Sequence, residues 1–136
     1  KMAEALSRYC ELVLCVSKLH MNPPEVREYF GIRSPFPIEV LGDPPVRPKS
    51  LFLIPSILRS LVRHRPDIVY FREEYVGWAT SFFCKRVIYE MLDYRPRFRR
   101  LYLQLARRSL KTVVISEGLK RRAVAAGLPS EKLVES

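Results

Sequence analysis

Short apolar runs of strand length recur along the chain, each parted from the next by a stretch of helical spacing. Residues 11–17 (ELVLCVS), 67–71 (DIVYF), 85–90 (KRVIYE) and 111–116 (KTVVIS) are rich in residues that favour strands. They lack the apolar–polar alternation of a strand with one wet face, so they read as buried on both sides. A fifth run, 36–41 (FPIEVL), fits a strand less well because Pro37 cannot donate to a ladder. Residues 132–134 begin a sixth.

The intervening segments read as helices. Met2, Leu6 and Tyr9 share one side of a helix over 2–9. Asn22 followed by two prolines marks the start of a short helix that Gly31 ends. Residues 42–48 (GDPPVRP) form a loop on proline and glycine content. Leu51, Ile54, Leu58 and Leu61 give helical spacing to 50–65, with Pro55 expected to kink that helix or shift its start. Helices over 73–83, 96–110 and 117–126 follow, the last closed by Gly127. Strands alternating with helices at this spacing predict an α/β fold, a Rossmann-like three-layer αβα arrangement around a parallel sheet.

Residues 1–136 are expected to form one domain, and an incomplete one. The chain begins inside a helix with no strand before it and stops as a strand begins. None of its five glycines falls into G-x-G-x-x-G or a P-loop. The sequence therefore reads as a piece of a longer polypeptide.

Charge is unevenly spread. The net charge is +10, and from Lys85 to Arg122 there are twelve basic residues against three acidic ones, whereas the remainder is close to neutral. Such a field gathers anions: phosphate-bearing ligands, nucleic acid or an acidic lipid surface. No apolar run reaches the length of a bilayer crossing and no signal peptide is visible, which makes the expected location cytoplasmic, or peripheral at the inner face of the membrane. Cys10, Cys15 and Cys84 have no metal-ligand spacing and read as buried, reduced thiols.

Ligands of such sheets bind beyond the carboxyl ends of the strands. Those ends carry Ser17, Lys18 and His20; then Arg72, Glu73 and Glu74; then Glu90, Asp93 and Arg95; then Ser116 and Glu117. Polar residues at four strand ends suit a binding crevice, although strands also exit into polar loops for no functional reason. Glu90 and Asp93 read as a ligand-orienting carboxylate and a cap rather than an acid–base pair, and Arg72 as a local partner of Glu73 and Glu74. His20 and His64 lack metal-ligand spacing, and no nucleophile motif is present, so no catalytic residue and no metal site is assigned.

Arg95, Arg97, Arg99 and Arg100 surround Pro96, where a helix starts and positive charge opposes its dipole. They form either a solvated arginine face or an anion or membrane contact, the latter helped by Tyr94, Phe98 and Tyr102. Lys120, Arg121 and Arg122 add to that field if both helices share a face.

VVISEGLKRRAVAAG (113–127), followed by LPSEKLVES, resembles the "SE-x-L-K … G-x-P-x-x-K" segment of the retaining GT-B glycosyltransferases, family 4-like. RVIYEMLDYRP resembles that family's "V-x-Y-E-x-H-D", and KMAEALSRYCELVLCVS is similar to its first helix and second strand. The resemblance implies an acceptor-binding N-terminal lobe, facing a donor-binding C-terminal lobe of the same chain across a cleft. It implies a nucleotide-sugar as co-substrate, with no tightly bound cofactor. Glu90, Asp93, Ser116 and Glu117 match the polar positions of the family's motifs and would line the cleft. Leu92 stands where the family has histidine, which removes a hydrogen-bonding group from the sugar's side.

The resulting expectation is the acceptor side of a hexosyltransferase, inactive as an isolated lobe, with a lipid-linked or membrane-borne acceptor suited to the basic charge. The rival is a non-catalytic basic α/β interaction domain for nucleic acid or an anionic membrane. No helix-turn-helix, zinc-finger, RNP or KH signature favours nucleic acid.

Overall fold

The computed structural model describes residues 2–17, 21–41 and 49–136. Lys18, His20 and the loop expected over 42–48 lie outside the described residues. Two compact units divide the chain, Lys1–Ile57 and Leu58–Ser136.

The first unit contains α1 (Met2–Leu6), β1 (Leu14–Val16), α2 (Pro23–Phe30) and β2 (Ile38–Val40), and β1 pairs with β2 in parallel. Its best-specified element is α2. The Asn22 side chain accepts from the Glu25 N–H at 3.0 Å while the Glu25 carboxylate accepts from the Asn22 N–H at 2.7 Å, a reciprocal capping box. Gly31 closes the helix with φ 62, the left-handed conformation that glycine adopts without a Cβ penalty. Arg27 then donates to the carbonyls of Ser34 and Phe36, tying the helix to the strand that follows.

Helix α3 (Lys49–His64) runs from one unit into the other. It contains Pro55 in its interior, so the proline does not shift the start of the element, and it leaves the turn before it without an N–H donor.

The second unit is a four-stranded parallel sheet in chain order: β3 (Val69–Phe71), β4 (Val87–Met91), β5 (Lys111–Val114) and β6 (Leu133–Glu135). Between the strands run α4 (Glu74–Thr80), α5 (Arg99–Arg108) and α6 (Glu117–Ala125). Because each strand pairs with the next one in sequence, right-handed crossovers put all three helices on the same face. The core confirms that placement. Phe71, Val87, Tyr89, Met91 and Val114 on that face pack with Tyr102, Leu105 and Ala106 of α5 and Leu119 and Ala123 of α6. The α/β class with parallel pairing and alternating helices is as expected from the sequence.

The elements are shorter than the apolar runs. Strands stop where pairing stops: Ile115 and Ser116 lie beyond β5, and Ser116 instead caps α6, its hydroxyl accepting from the Leu119 N–H at 3.2 Å. The helix expected over 96–110 is a 3₁₀ turn at Pro96–Phe98 followed by α5. The helix expected over 73–83 ends at Thr80, and a hydrogen-bonded turn carries the chain through Phe82 and Phe83. Gly127, at φ 93, follows the last turn of α6; its N–H donates to Val124 O and that of Leu128 to Ala123 O. The cysteines depart from expectation: Cys10 and Cys15 are exposed and Cys84 is half-buried, so none sits in a sealed core. No helix among the described residues is long and apolar enough to cross a membrane.

Candidate functional site

The carboxyl edge of the second unit's sheet gathers most of the polar residues singled out from the sequence. Glu90, the penultimate residue of β4, is almost wholly buried there, with 7% of its side chain exposed. A carboxylate so placed needs a partner, and Arg72 at the end of β3 supplies it. Arg72 Nε donates to Glu90 Oε2 at 2.5 Å and Nη2 to Oε1 at 3.3 Å, while half of the arginine side chain stays in solvent. The local pairing of Arg72 with Glu73 and Glu74 suggested by their adjacency is thus replaced by a cross-strand one. Strand geometry explains it, since Phe71 and Tyr89 are direct parallel partners and the next residues along are Arg72 and Glu90.

Tyr70, two residues before Arg72, completes this cluster. Its hydroxyl is held well above the ordinary tyrosine pKa, first by burial and then by its hydrogen bond with Glu90. Nothing in the sequence pattern singled out Tyr70; the parallel register that sets β3 beside β4 is what brings it to the carboxylate.

On the helix-covered face, Glu74 meets α5. The Tyr102 hydroxyl donates to Glu74 Oε1 at 3.1 Å, and its pKa is pushed up to about 12 by burial and by that carboxylate. Glu73 is raised from the usual carboxylate value, mainly by desolvation and next by neighbouring Glu74, with Arg95 opposing. Asp93 lies in the turn after β4. One of its oxygens accepts from the Tyr94 N–H at 2.7 Å and the other from Arg95 Nε at 3.4 Å, so it braces its own turn, whereas the helical turn at Pro96 has Arg95 at its N-cap and no side-chain cap. Leu92 beside it is exposed. Glu117 opens α6, favourably placed against the helix dipole, and pairs with Arg121 one turn on at 3.5 Å.

The edge therefore holds Glu73, Glu74, Glu90, Asp93 and Glu117 with Arg72 and Arg95 among them. It is rich in hydrogen-bonding groups and in carboxylates, suited to a polyhydroxyl ligand. Ser17 follows β1 and belongs to the first unit, where it is exposed.

The arginines around Pro96 have divided roles. Arg97 stacks its guanidinium 4.7 Å from the Phe98 ring, Arg99 donates to the Ala126 carbonyl at 2.8 Å, and Arg100 is exposed. The aromatic residues expected to help them at a lipid surface are committed elsewhere. Tyr102 is fully buried, stacked at 6.5 Å from Tyr89, and Tyr94 and Phe98 are half-buried against the same core. Lys120 is half-buried, whereas Arg121 and Arg122 are exposed.

Solved structures share this fold. Anabaena HepE (Alr3699), in complex with UDP and glucose, superposes with a TM-score of 0.66 at 18% identity over 98% of this chain. The chain shares the fold of a GT-B-like lobe. HepE in complex with UDP-glucose matches with a TM-score of 0.61 at 17% identity. UDP-N-acetylglucosamine 2-epimerase from Rickettsia bellii matches with a TM-score of 0.59, at 17% identity over 88% of this chain. The chain spans 39% of the first HepE structure's length and 36% of the epimerase's, so the likeness is to part of each. No family model and no curated protein matches the sequence. Neighbours of such low identity show the fold alone.

Proposed function

We propose that this chain is the acceptor-side lobe of a hexosyltransferase that draws its sugar from a nucleotide-sugar held by a second lobe of the same polypeptide. The observation that carries this reading is the polar carboxyl edge of the β3–β6 sheet, in a fold whose neighbour HepE is seen with UDP, glucose and UDP-glucose. Sugars are recognised by carboxylates and guanidinium groups fixed in advance, and the Arg72–Glu90 pair is such a fixed group.

In this reading Arg72, Glu73, Glu90, Asp93, Ser116 and Glu117 line the acceptor side. Arg72 uses Nε and Nη2 on Glu90 and keeps its other terminal nitrogen for ligand. Arg95, Arg97, Arg99, Arg100, Lys120, Arg121 and Arg122 supply positive charge for an acceptor bearing phosphate. Leu92 in place of the family's histidine means that the transferred sugar is held by other groups.

The test is transfer from radiolabelled UDP-glucose, measured with the 136-residue chain alone and with a polypeptide that also carries the donor lobe. Acceptor-dependent transfer by the two-lobed protein, and none by the chain alone, is expected. Turnover by the chain alone, or acceptor-independent epimerisation of UDP-N-acetylglucosamine by the two-lobed protein, contradicts the proposal.

A further inference from the structure

The opposite edge of the same sheet has a different character. There the turns leading into β4 and β5 come together, and Phe82 and Phe83 stand out from the first of them, 52% and 70% exposed. They are not on a loose segment. The N–H groups of Phe82, Phe83 and Cys84 donate to Ala79 O, Thr80 O and Thr80 O, at 3.2, 3.0 and 2.9 Å. Phe82 is further fixed by Trp78, edge-on at 5.0 Å, whose indole N–H donates to Gln104 at 2.8 Å. The Arg108 guanidinium lies 3.9 Å from the centre of the Phe82 ring. Lys85 and Arg86 are exposed on the first of these turns, and Arg107 is exposed in the last turn of α5.

Leaving a phenylalanine in water forgoes about 1.5–3 kcal/mol of burial. Two adjacent ones, rigidly presented and ringed by cations with no carboxylate in either turn, call for an occupant that is apolar inside and anionic outside. An anionic bilayer has that profile: rings enter the headgroup–acyl boundary while arginine and lysine meet phosphates. We infer that the turn carrying Phe82 and Phe83, with Lys85, Arg86, Arg107 and Arg108, is an attachment site for an anionic lipid surface. The site lies across the sheet from the carboxylate-rich edge, so a membrane seated on it leaves that edge free. Lipid attachment is read without nucleotide-sugar or turnover, so it stands or falls apart from the transferase reading.

The experiment is co-sedimentation of the chain with phosphatidylcholine vesicles, with and without phosphatidylserine, and with a single-stranded oligonucleotide as competitor. Binding to the phosphatidylserine vesicles alone is expected, weakening as salt rises. Phe83→Ser should weaken it roughly tenfold, equivalent to about 1.4 kcal/mol. The Lys85→Glu/Arg86→Glu pair should abolish it, and Lys120→Glu/Arg121→Glu should leave it nearly unchanged. Both turn variants alter exposed side chains, and an unchanged melting midpoint confirms that they fold. Equal binding to both vesicles, loss of binding only in the Lys120/Arg121 variant, indifference to Phe83→Ser, or preference for the oligonucleotide overturns the inference.

Discussion

Arg72 and Glu90, eighteen residues apart in sequence, meet through a two-point ion pair across adjacent parallel strands, with the carboxylate buried and the guanidinium half in water. The pair does two things at once. It makes a buried charge tolerable at the end of β4, and it fixes the direction in which Arg72 offers its remaining nitrogen.

Removing the arginine leaves Glu90 desolvated and unpaired. Arg72→Ala is expected to lower stability by about 2 kcal/mol, less than for a fully buried pair because water reaches the arginine's side. Glu90→Gln, which keeps an acceptor for Arg72 and removes the charge, should lose about 1 kcal/mol. Arg72→Lys cannot restore the two-point geometry and should resemble Arg72→Ala more than wild type. Urea unfolding of the four proteins checks this order.

Gly77 of α4 packs directly against the Phe71 ring of β3. A Cβ built there would stand 1.4 Å from Phe71 Cε2, so the ring, stacked on Tyr89, or the helix has to shift. Gly77→Ala should therefore lose about 3 kcal/mol, despite alanine's better helix propensity. Phe71→Val in the same chain should recover part of that loss, and thermal melts of the single and double variants measure it.

Thr112 is fully buried on the helix-covered face, and its hydroxyl has no hydrogen-bond partner among the described residues. Thr112→Val keeps the shape and removes an unmade hydrogen bond, so it is expected to raise stability by about 1 kcal/mol. A raised denaturation midpoint with an unchanged slope is the predicted signature.

Glu73 gives a pH-dependent counterpart. Its folded pKa lies above the ordinary value through desolvation and then Glu74, so the charged form weighs against the folded state at neutral pH. The native state takes up this proton earlier than the unfolded chain does as pH falls. Glu73→Gln should therefore raise the melting midpoint at pH 7. That advantage should shrink as pH drops through the raised titration and vanish below the unfolded value of about 4.3. An advantage that persists unchanged in acid would contradict this origin.

Much of this architecture is written locally. The apolar runs at β3, β4 and β5, the Asn22–Glu25 capping box, and Gly31 and Gly127 at helix ends are signals that act within a few residues, and the structure follows them. What the sequence concealed depends on register. Arg72 has two carboxylates beside it in the chain, yet pairs with Glu90 because the strands place them side by side. Tyr102 sits in an arginine-rich helix that suggests a surface, but its position on that helix turns it into the core beneath Tyr89. Pro55 reads as a kink or a later start, yet α3 begins at Lys49 and runs on to His64 with the proline inside it. Phe82 and Phe83 look like the last turn of an amphipathic helix, and only the early end of α4 at Thr80 puts them in solvent.

The acceptor role of the carboxyl edge is most directly tested by steady-state transfer with the two-lobed protein, varying donor and acceptor separately, for wild type and for Asp93→Asn and Glu117→Gln. Loss of one charge-assisted hydrogen bond to the acceptor, about 1.4 kcal/mol, predicts a roughly tenfold rise in acceptor KM with donor KM unchanged. A rise confined to donor KM, or no change in either constant, would contradict the account.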